Sequence, residues 1–210
     1  MLKILIADDH PVFRRGLKQI IDDTSDMTVS DEAINGWEVL SKVRASNYDV
    51  VLLDISMPGK DGLEVLAQLK HEKPQLPVLM LSMYPEEQFA VRALRAGASG
   101  YLTKESAPDE LVGAIRKVSA GGKYVSSALA EELALDLQRG DKQPLHETLS
   151  DREYRVMCLI ASGKTATEIA RELSLSVKTI STYRHRILDK MKMKNNAELT
   201  HYTMSRRLVD

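Results

Sequence analysis

Over its first 122 residues the chain alternates short aliphatic runs with amphipathic stretches of helical length, and few architectures accept that alternation. The runs predict strands at Lys3–Ala7, Thr28–Glu32, Val50–Asp54, Pro77–Leu81 and Gly100–Leu102. The stretches predict helices at Val12–Asp23, Trp37–Ala45, Leu63–His71, Glu86–Ala96 and Pro108–Ala120. Breakers mark the joints: Gly36, Pro58-Gly59, Asp61-Gly62, Pro74, Gly97 and Gly121-Gly122. Strand and helix in regular turn imply crossover connections, and hence a doubly wound, five-stranded parallel α/β sheet with helices on both faces. Val50-Val51-Leu52-Leu53 is apolar at every position, as a central strand covered on both sides must be.

From Leu149 onward no strand pattern survives. Four helical segments are predicted there, at Asp151–Ser162, Ala166–Leu173, Val177–Lys192 and Asn196–Arg207. Ser150 with Glu153 makes a capping box, and Ser176 is an N-cap for the third segment. Between the two regions, Ser127–Gln138 reads as a further helix and residues 139–144 as a polar, breaker-containing linker. The expected domains are therefore 1–122, a helical linker 123–148, and an all-α domain 149–210. Charge separates the same regions. The whole chain carries −1, but residues 150–210 hold 12 Lys and Arg against 7 Asp and Glu, whereas residues 1–149 hold 17 against 23. A basic end points to a polyanion partner for that end alone, or to a solvated face.

A single cysteine, Cys158, excludes an internal disulfide and a cysteine zinc site, and is expected to be a small core residue. The apolar start is too short for a signal peptide and no later run spans a bilayer, so a cytoplasmic location without membrane contact is expected. Trp37 is expected to serve packing.

In an open parallel sheet, chemistry collects beyond the carboxyl ends of the strands. Four of the predicted ends carry polar groups: Asp8-Asp9, Asp54, Ser82 and Lys104. Crowded acids repel one another unless a cation joins them, and magnesium suits a few carboxylates and retained water. A nearby lysine holds a second anion. Taken singly, each residue has a plainer reading: Asp9 as a helix N-cap before Pro11, Asp61-Gly62 as a turn, Lys104 as a solvated side chain.

The run from Leu52 to Gly62, with Asp8-Asp9, Leu81-Ser82 and the run from Ala96 to Lys104, closely resembles the receiver domain of two-component response regulators, over residues 2–120. The resemblance implies a flavodoxin-like fold and a phosphoryl group passed to Asp54 from a phosphohistidine of a sensor histidine kinase. It also implies Mg2+ arranged by Asp8, Asp9, Asp54 and the backbone carbonyl of Ser56. Ser82 and Lys104 are then expected to turn toward the phosphoryl group, with Tyr101 following Ser82 inward. Lys104 is expected to respond to that group more than to stabilise the resting fold. Glu105 stands where many receivers have proline, so no cis-proline brake is expected.

In the basic region, Ala166–Leu173 and the segment begun by Ser176 have helix-turn-helix spacing, which a generic helical bundle shares. Ile180, Ile187, Leu188 and Met191 form the inward stripe; Lys178, Ser181, Thr182, Tyr183, Arg184, His185 and Arg186 lie mostly outside it. The runs Leu149–Glu153, Glu168–Ala170, Leu175–Ile180 and Asn196–Leu199 resemble the LuxR-type DNA-binding domain over residues 149–204. A receiver joined to such a domain defines the NarL/FixJ family, and Ser181–Arg184 is most similar to its GacA-type and BvgA-type members. The resemblance implies that Ser181, Thr182 and His185 face bases while Lys178, Thr179, Tyr183 and Arg184 lie at or near phosphates. Ala166-Thr167 departs from the commoner Asn-Lys. The implied protein is a phosphorylation-activated transcription regulator, not an enzyme. It forms a homodimer on a near-palindromic double-stranded operator, with RNA polymerase a candidate contact. Two competitors are an aspartate-based magnesium phosphatase, against which Ser56 stands where a second acid is usual, and a regulator that uses its receiver only to dimerise.

Overall fold

The computed structural model describes residues 1–127, 129–131, 144–206 and 208–209. Two compact units divide the chain, Met1–Leu133 and Ala134–Asp210.

In the first unit five parallel strands, β1 (Leu2–Ala7), β2 (Met27–Ala33), β3 (Val50–Asp54), β4 (Val78–Ser82) and β5 (Gly100–Thr103), lie in the order β2-β1-β3-β4-β5. Five helices connect and follow them: α1 (Pro11–Asp22), α2 (Gly36–Ala45), α3 (Gly62–Glu72), α4 (Glu86–Arg95) and α5 (Ala107–Ser119). Alternation along the strands divides the core. Ile4, Ile6, Val50, Leu52, Leu79, Leu81 and Leu102 pack with Leu17 and Ile21 of α1 and Leu111, Ile115 and Val118 of α5. Leu5, Val51, Leu53, Val78 and Met80, of opposite parity, are equally buried on the other face. The order reverses between β1 and β3, so their connections leave in opposite directions and open a crevice at their carboxyl ends.

Several turns are fixed by close approach. A Cβ on Gly62 would stand 2.1 Å from the carbonyl oxygen of Asp54, so only glycine lets α3 start directly behind β3. Asp61 caps that helix, its Oδ1 accepting from Leu63 N at 2.9 Å, which makes it a buried N-cap and not merely a turn residue. His10, not Asp9, is the N-cap of α1, and it makes no side-chain capping bond. Trp37 corrects the packing expectation. It is 65% exposed in the first turn of α2, with Lys60 Nζ 5.4 Å from its ring centroid.

The first unit does not end at the double glycine. Tyr124 bridges in parallel to Gly100, Tyr124 N donates to Ser99 O at 2.9 Å, and Tyr101 N donates to Tyr124 O at 3.3 Å. Lys123 Nζ donates to Ala98 O at 2.6 Å, and the Ser126 hydroxyl donates to Glu86. Ser127 and residues 129–131 are helical; the rest of the helix expected over 127–138 lies outside the described residues.

In the second unit a 3-10 turn (Leu145–Thr148) precedes α6 (Asp151–Ala161), α7 (Ala166–Glu172), α8 (Val177–Lys190) and α9 (Asn196–Ser205). Val156, Met157, Ile169, Ile180, Ile187 and Leu199 form its core, with Cys158 buried as expected. Each start is capped: capping boxes Ser150–Glu153 and Thr165–Glu168, then Ser176 and Asn195. The turn between α7 and α8 passes through Ser174 at φ 53°, a left-handed residue that reverses the chain. Among the described residues no helix is long and apolar enough to cross a membrane.

Glu153 carries one of these caps under burial. Its carboxylate accepts from Ser150 N at 2.8 Å and from Lys190 Nζ at 2.6 Å, tying α6 to the last turn of α8. Burial pushes this carboxyl up, but Lys190 and the Ser150 groups outweigh it and hold it below its ordinary value. Its stabilising contribution is thus complete above the ordinary glutamate pKa and is lost as pH falls through the depressed folded value. Glu153→Gln is expected to lower amide-exchange protection of α6 by about 1–2 kcal/mol at pH 7. The difference from the parent should shrink toward pH 4.

Candidate functional site

Three strand ends meet at the crevice because the parallel sheet delivers every carboxyl terminus to one edge. Asp8 follows β1, Asp54 ends β3, and Lys104 follows β5, positioned by its N–H donating to Ser82 O at 2.7 Å across the end of β4. Asp8, Asp54 and Ser82 are fully buried and Lys104 is 7% exposed; Asp9, next along the chain, is partly exposed. Lys104 Nζ lies 2.6 Å from Asp8 Oδ2 and 2.9 Å from Asp54 Oδ2, over the Phe13 ring at 4.9 Å. Asp54 Oδ1 accepts from Ser56 N at 3.2 Å, which places the Ser56 backbone at the site. The plainer reading of Lys104 as a solvated side chain does not hold. Without a phosphoryl group it is already paired with two buried acids.

Electrostatics follow from that arrangement. Burial pushes the Asp54 carboxyl up, the Asp8 charge adds to the rise, and Lys104 opposes both. Burial works against the Lys104 ammonium, but Asp54 and Asp8 together hold it above its ordinary value. One ammonium therefore serves two buried carboxylates, and the crevice retains an excess of negative charge.

Donor chemistry fits a hard dication. Asp8, Asp9, His10 and Asp54 offer ligand atoms that all lie within 4.8 Å of one another. Asp8 Oδ2 is occupied by the Lys104 ammonium at 2.6 Å, whereas Asp9 Oδ1 is buried and accepts no hydrogen bond, with only His10 Nδ1 near it at 2.9 Å. A carboxylate oxygen in that condition suits magnesium.

Tyr101 is already inward. Its ring is fully buried, its hydroxyl donates to Tyr84 O at 3.0 Å, and burial raises its pKa. Ser82 Oγ accepts from Tyr84 N at 2.9 Å, so one turn joins both residues. Two contributors escaped the sequence reading. Arg14 donates to Asp8 O at 2.7 Å while its Nε holds Glu32 at 2.7 Å, bracing the end of β1. His10 Nδ1 lies 3.2 Å from Asp8 Oδ1 and 2.9 Å from Asp9 Oδ1. Adjacency to Asp8-Asp9 was the only signal for His10, and Pro11 made it resemble helix punctuation.

In the second unit α8 presents Lys178, Ser181, Thr182 and His185 to solvent at helical spacing along one stripe. Thr179 and Tyr183 are half-buried. The Thr179 side chain belongs to the cap: its N–H donates to Ser176 Oγ at 3.0 Å and the two hydroxyls are 2.8 Å apart. Ser181 and Thr182 hydroxyls donate back to Val177 O and Lys178 O. Arg184 Nε donates to Asn196 Oδ1 at 2.7 Å, fixing the guanidinium beside the start of α9. Polar, cationic side chains thus sit on the exposed face of a helix that follows a tight turn, as a major-groove helix requires.

Comparison with known proteins agrees with both halves. Residues 4–116 match the response regulator receiver domain, and residues 147–203 match the luxR family of bacterial regulatory proteins. The chain is similar to the response regulator UvrY of Escherichia coli strain K12, 35% identical over 211 residues with 100% of this chain and 97% of UvrY covered. GacA of Pseudomonas aeruginosa is 36% identical over 211 residues, covering 100% of this chain and 99% of GacA. A solved structure of RcsB from Salmonella enterica serovar Typhimurium, bound to promoter P1flhDC in the presence of the phosphomimetic BeF3-, has a TM-score of 0.61 at 27% identity, covering 98% of each chain.

Removing the ammonium tests the charge balance. Lys104→Met leaves two buried acids without their counter-charge and should cost about 3–5 kcal/mol of stability at pH 7.5. The Asp54 carboxyl, which burial already pushes up, then loses its opposing charge and takes up a proton more readily when folded than when unfolded. That penalty is largest at high pH and eases as pH falls through the raised value, so urea midpoints should show a smaller loss at pH 5.

Proposed function

Because the chain belongs to the two-component response regulators that join a receiver to a luxR-family DNA-binding domain, we propose that phosphorylation of Asp54 controls its binding to DNA. It is a DNA-binding regulator and not a classical enzyme. The observation that carries the phosphorylation reading is the convergence of Asp8, Asp54 and Lys104 on one buried point with Asp9 beside it.

A sensor histidine kinase supplies the phosphoryl group as a phosphohistidine. An Asp54 carboxylate oxygen attacks phosphorus, the new P–O bond forms as the P–N bond breaks, and the freed imidazole keeps the electron pair. Asp8, Asp9, Asp54 and the Ser56 carbonyl would hold Mg2+, which when bound would supply charge neutralisation at the transferring group. Lys104 turns from the Asp54 carboxylate to the phosphoryl oxygens, and the Ser82 hydroxyl donates to them, with about one to two negative charges newly fixed at Asp54. The Ser82–Tyr84 turn links this movement to Tyr101, whose hydroxyl donates to Tyr84 O, so that Tyr101 is held inward as Ser82 turns.

Output passes to α8 as a homodimer on double-stranded DNA. Ser181, Thr182 and His185 face base edges; Lys178 and Tyr183, with Thr179 held at the Ser176 cap and Arg184 held by Asn196, lie at phosphates. Two such helices read half-sites about 34 Å apart in a near-palindromic operator. Charge supports this division of labour, since the basic excess is confined to residues 150–210. RNA polymerase is a candidate contact of the DNA-bound dimer.

Asp54→Asn is expected to abolish acid-labile labelling by acetyl phosphate in magnesium; undiminished labelling rejects the assignment. Lys178→Ala should weaken binding to all sequences and reduce the slope of log affinity against log salt by about 1. His185→Ala should instead change base preference, read by selection from a random DNA pool.

A further inference from the structure

A second cavity, of about 330 Å3, opens at the other edge of the sheet, where β4 and β5 begin. Lys70, in the last turn of α3, and Lys123, just beyond α5, both line it, and among the described residues no acid does. Its volume suits a small molecule and exceeds what a bare ion needs.

Backbone carbonyls place both ammonium groups. Lys70 Nζ donates to Leu76 O at 2.6 Å and to Pro74 O at 3.4 Å, and Lys123 Nζ donates to Ala98 O at 2.6 Å. An ammonium has three N–H donors, so one remains on Lys70 and two on Lys123. The Lys70 stem crosses Gly97, where a Cβ would stand 3.0 Å from its Cγ and where φ is 101°, so glycine at 97 seats the lysine. Burial and the Lys123 charge both hold the Lys70 ammonium below its ordinary value. Two like charges brought to one cavity repel, and an anion between them turns that repulsion into attraction.

Ser99 adds an independent donor. The residue is only 8% exposed and lines the same cavity; its N–H donates to Val78 O and its carbonyl accepts from Tyr124 N. Its hydroxyl has no protein partner among the described residues, a condition that a nearly buried polar side chain rarely keeps without a ligand. Pro74, Pro77 and Val118 supply apolar wall beside these donors.

We propose that this cavity binds a phosphate monoester of a small organic molecule, with the phosphate between Lys70 and Lys123, one of its oxygens accepting from the Ser99 hydroxyl, and the organic part against the apolar wall. Two ammonium groups match a dianion, and the oxygens of a tetrahedral phosphate meet donors arriving from three separate chain segments. The site lies apart from Asp54 and does not depend on phosphotransfer there. The competing account makes the two lysines clasps for the carbonyls they already hold.

The experiment titrates the full-length protein with inorganic phosphate, glycerol 3-phosphate and, as a neutral control, glycerol. Amide proton–nitrogen NMR is recorded at about pH 7.5, above the second pKa of a phosphate monoester, about 6, with potassium chloride balancing ionic strength. Both phosphates should shift the amides of Gly97, Ser99 and Gly122 saturably, with a Kd of about 1 mM or below, the ester binding at least as tightly as inorganic phosphate; glycerol should shift none of them. Lys123→Gln, an exposed change that keeps a donor, and Ser99→Ala should each weaken binding about fivefold or more while the rest of the spectrum stays unchanged. Shifts that do not saturate, or binding that survives both substitutions, overturn the proposal in favour of the clasp. Binding of inorganic phosphate without the ester overturns it as well, because the apolar wall then holds nothing.

Discussion

One ammonium held between two buried carboxylates ties together the carboxyl ends of β1, β3 and β5, and the remaining features of the N-terminal unit accommodate that lock. Ions at this depth are tolerated only when paired and hydrogen-bonded. Lys104 therefore depends on a placement fixed by its own N–H on Ser82 O, and Asp8 depends on Arg14 bracing its carbonyl. The lock is stoichiometrically incomplete, with one positive charge for two negative ones. A structure balanced in this way responds to any change of charge at Asp54, because the ammonium must redistribute between its partners. Ser82 ends β4, the strand between β3 and β5, and shares a turn with the carbonyl that receives Tyr101.

Much of this was legible from residue order alone, and the reasons are physical. Val50–Asp54 matches its strand to the residue because four consecutive apolar residues buried on both faces are bounded by the acid that closes the strand. The other strands agree within one or two residues at each end. Strand-end residues were legible because the topology sends all carboxyl ends to one edge, so Asp8, Asp54, Ser82 and Lys104 had to converge. Side-chain disposition was less accessible. Nothing in the pattern distinguishes a lysine that waits in solvent from one already seated on Asp8 and Asp54. Nor does it show that Tyr101 is turned inward, since a tyrosine at a strand position satisfies either face. Trp37 was misread because large apolar residues usually pack, whereas its place in the first turn of α2 beside Lys60 leaves the indole open.

The C-terminal unit shows a different division between pattern and detail. Its helix starts were readable because caps are local: Ser150 with Glu153 and Ser176 with Thr179 act over three residues. Which side of α8 remains open followed from the inward stripe. The competition for individual side chains did not, because Thr179 is shared with a cap and Arg184 with Asn196, a partner twelve residues away. These ties pre-set the orientation of side chains that a flexible surface would leave free, lowering the ordering cost of an encounter.

The parallel bridge from Tyr124 to Gly100 bears on how this architecture can be recombined. β5 lies at the margin of the sheet, and Tyr124 covers part of its exposed backbone at the one residue where a side chain would collide with the incoming chain: a Cβ on Gly100 would meet Tyr124 O at 2.6 Å. A fragment or chimera severed at Gly121-Gly122, where composition invites the cut, would bare that edge and leave it free to recruit another strand. A junction placed beyond residue 131 keeps the cover in place. The first residues of the apparent connector therefore belong, for purposes of modular exchange, to the sheet they seal.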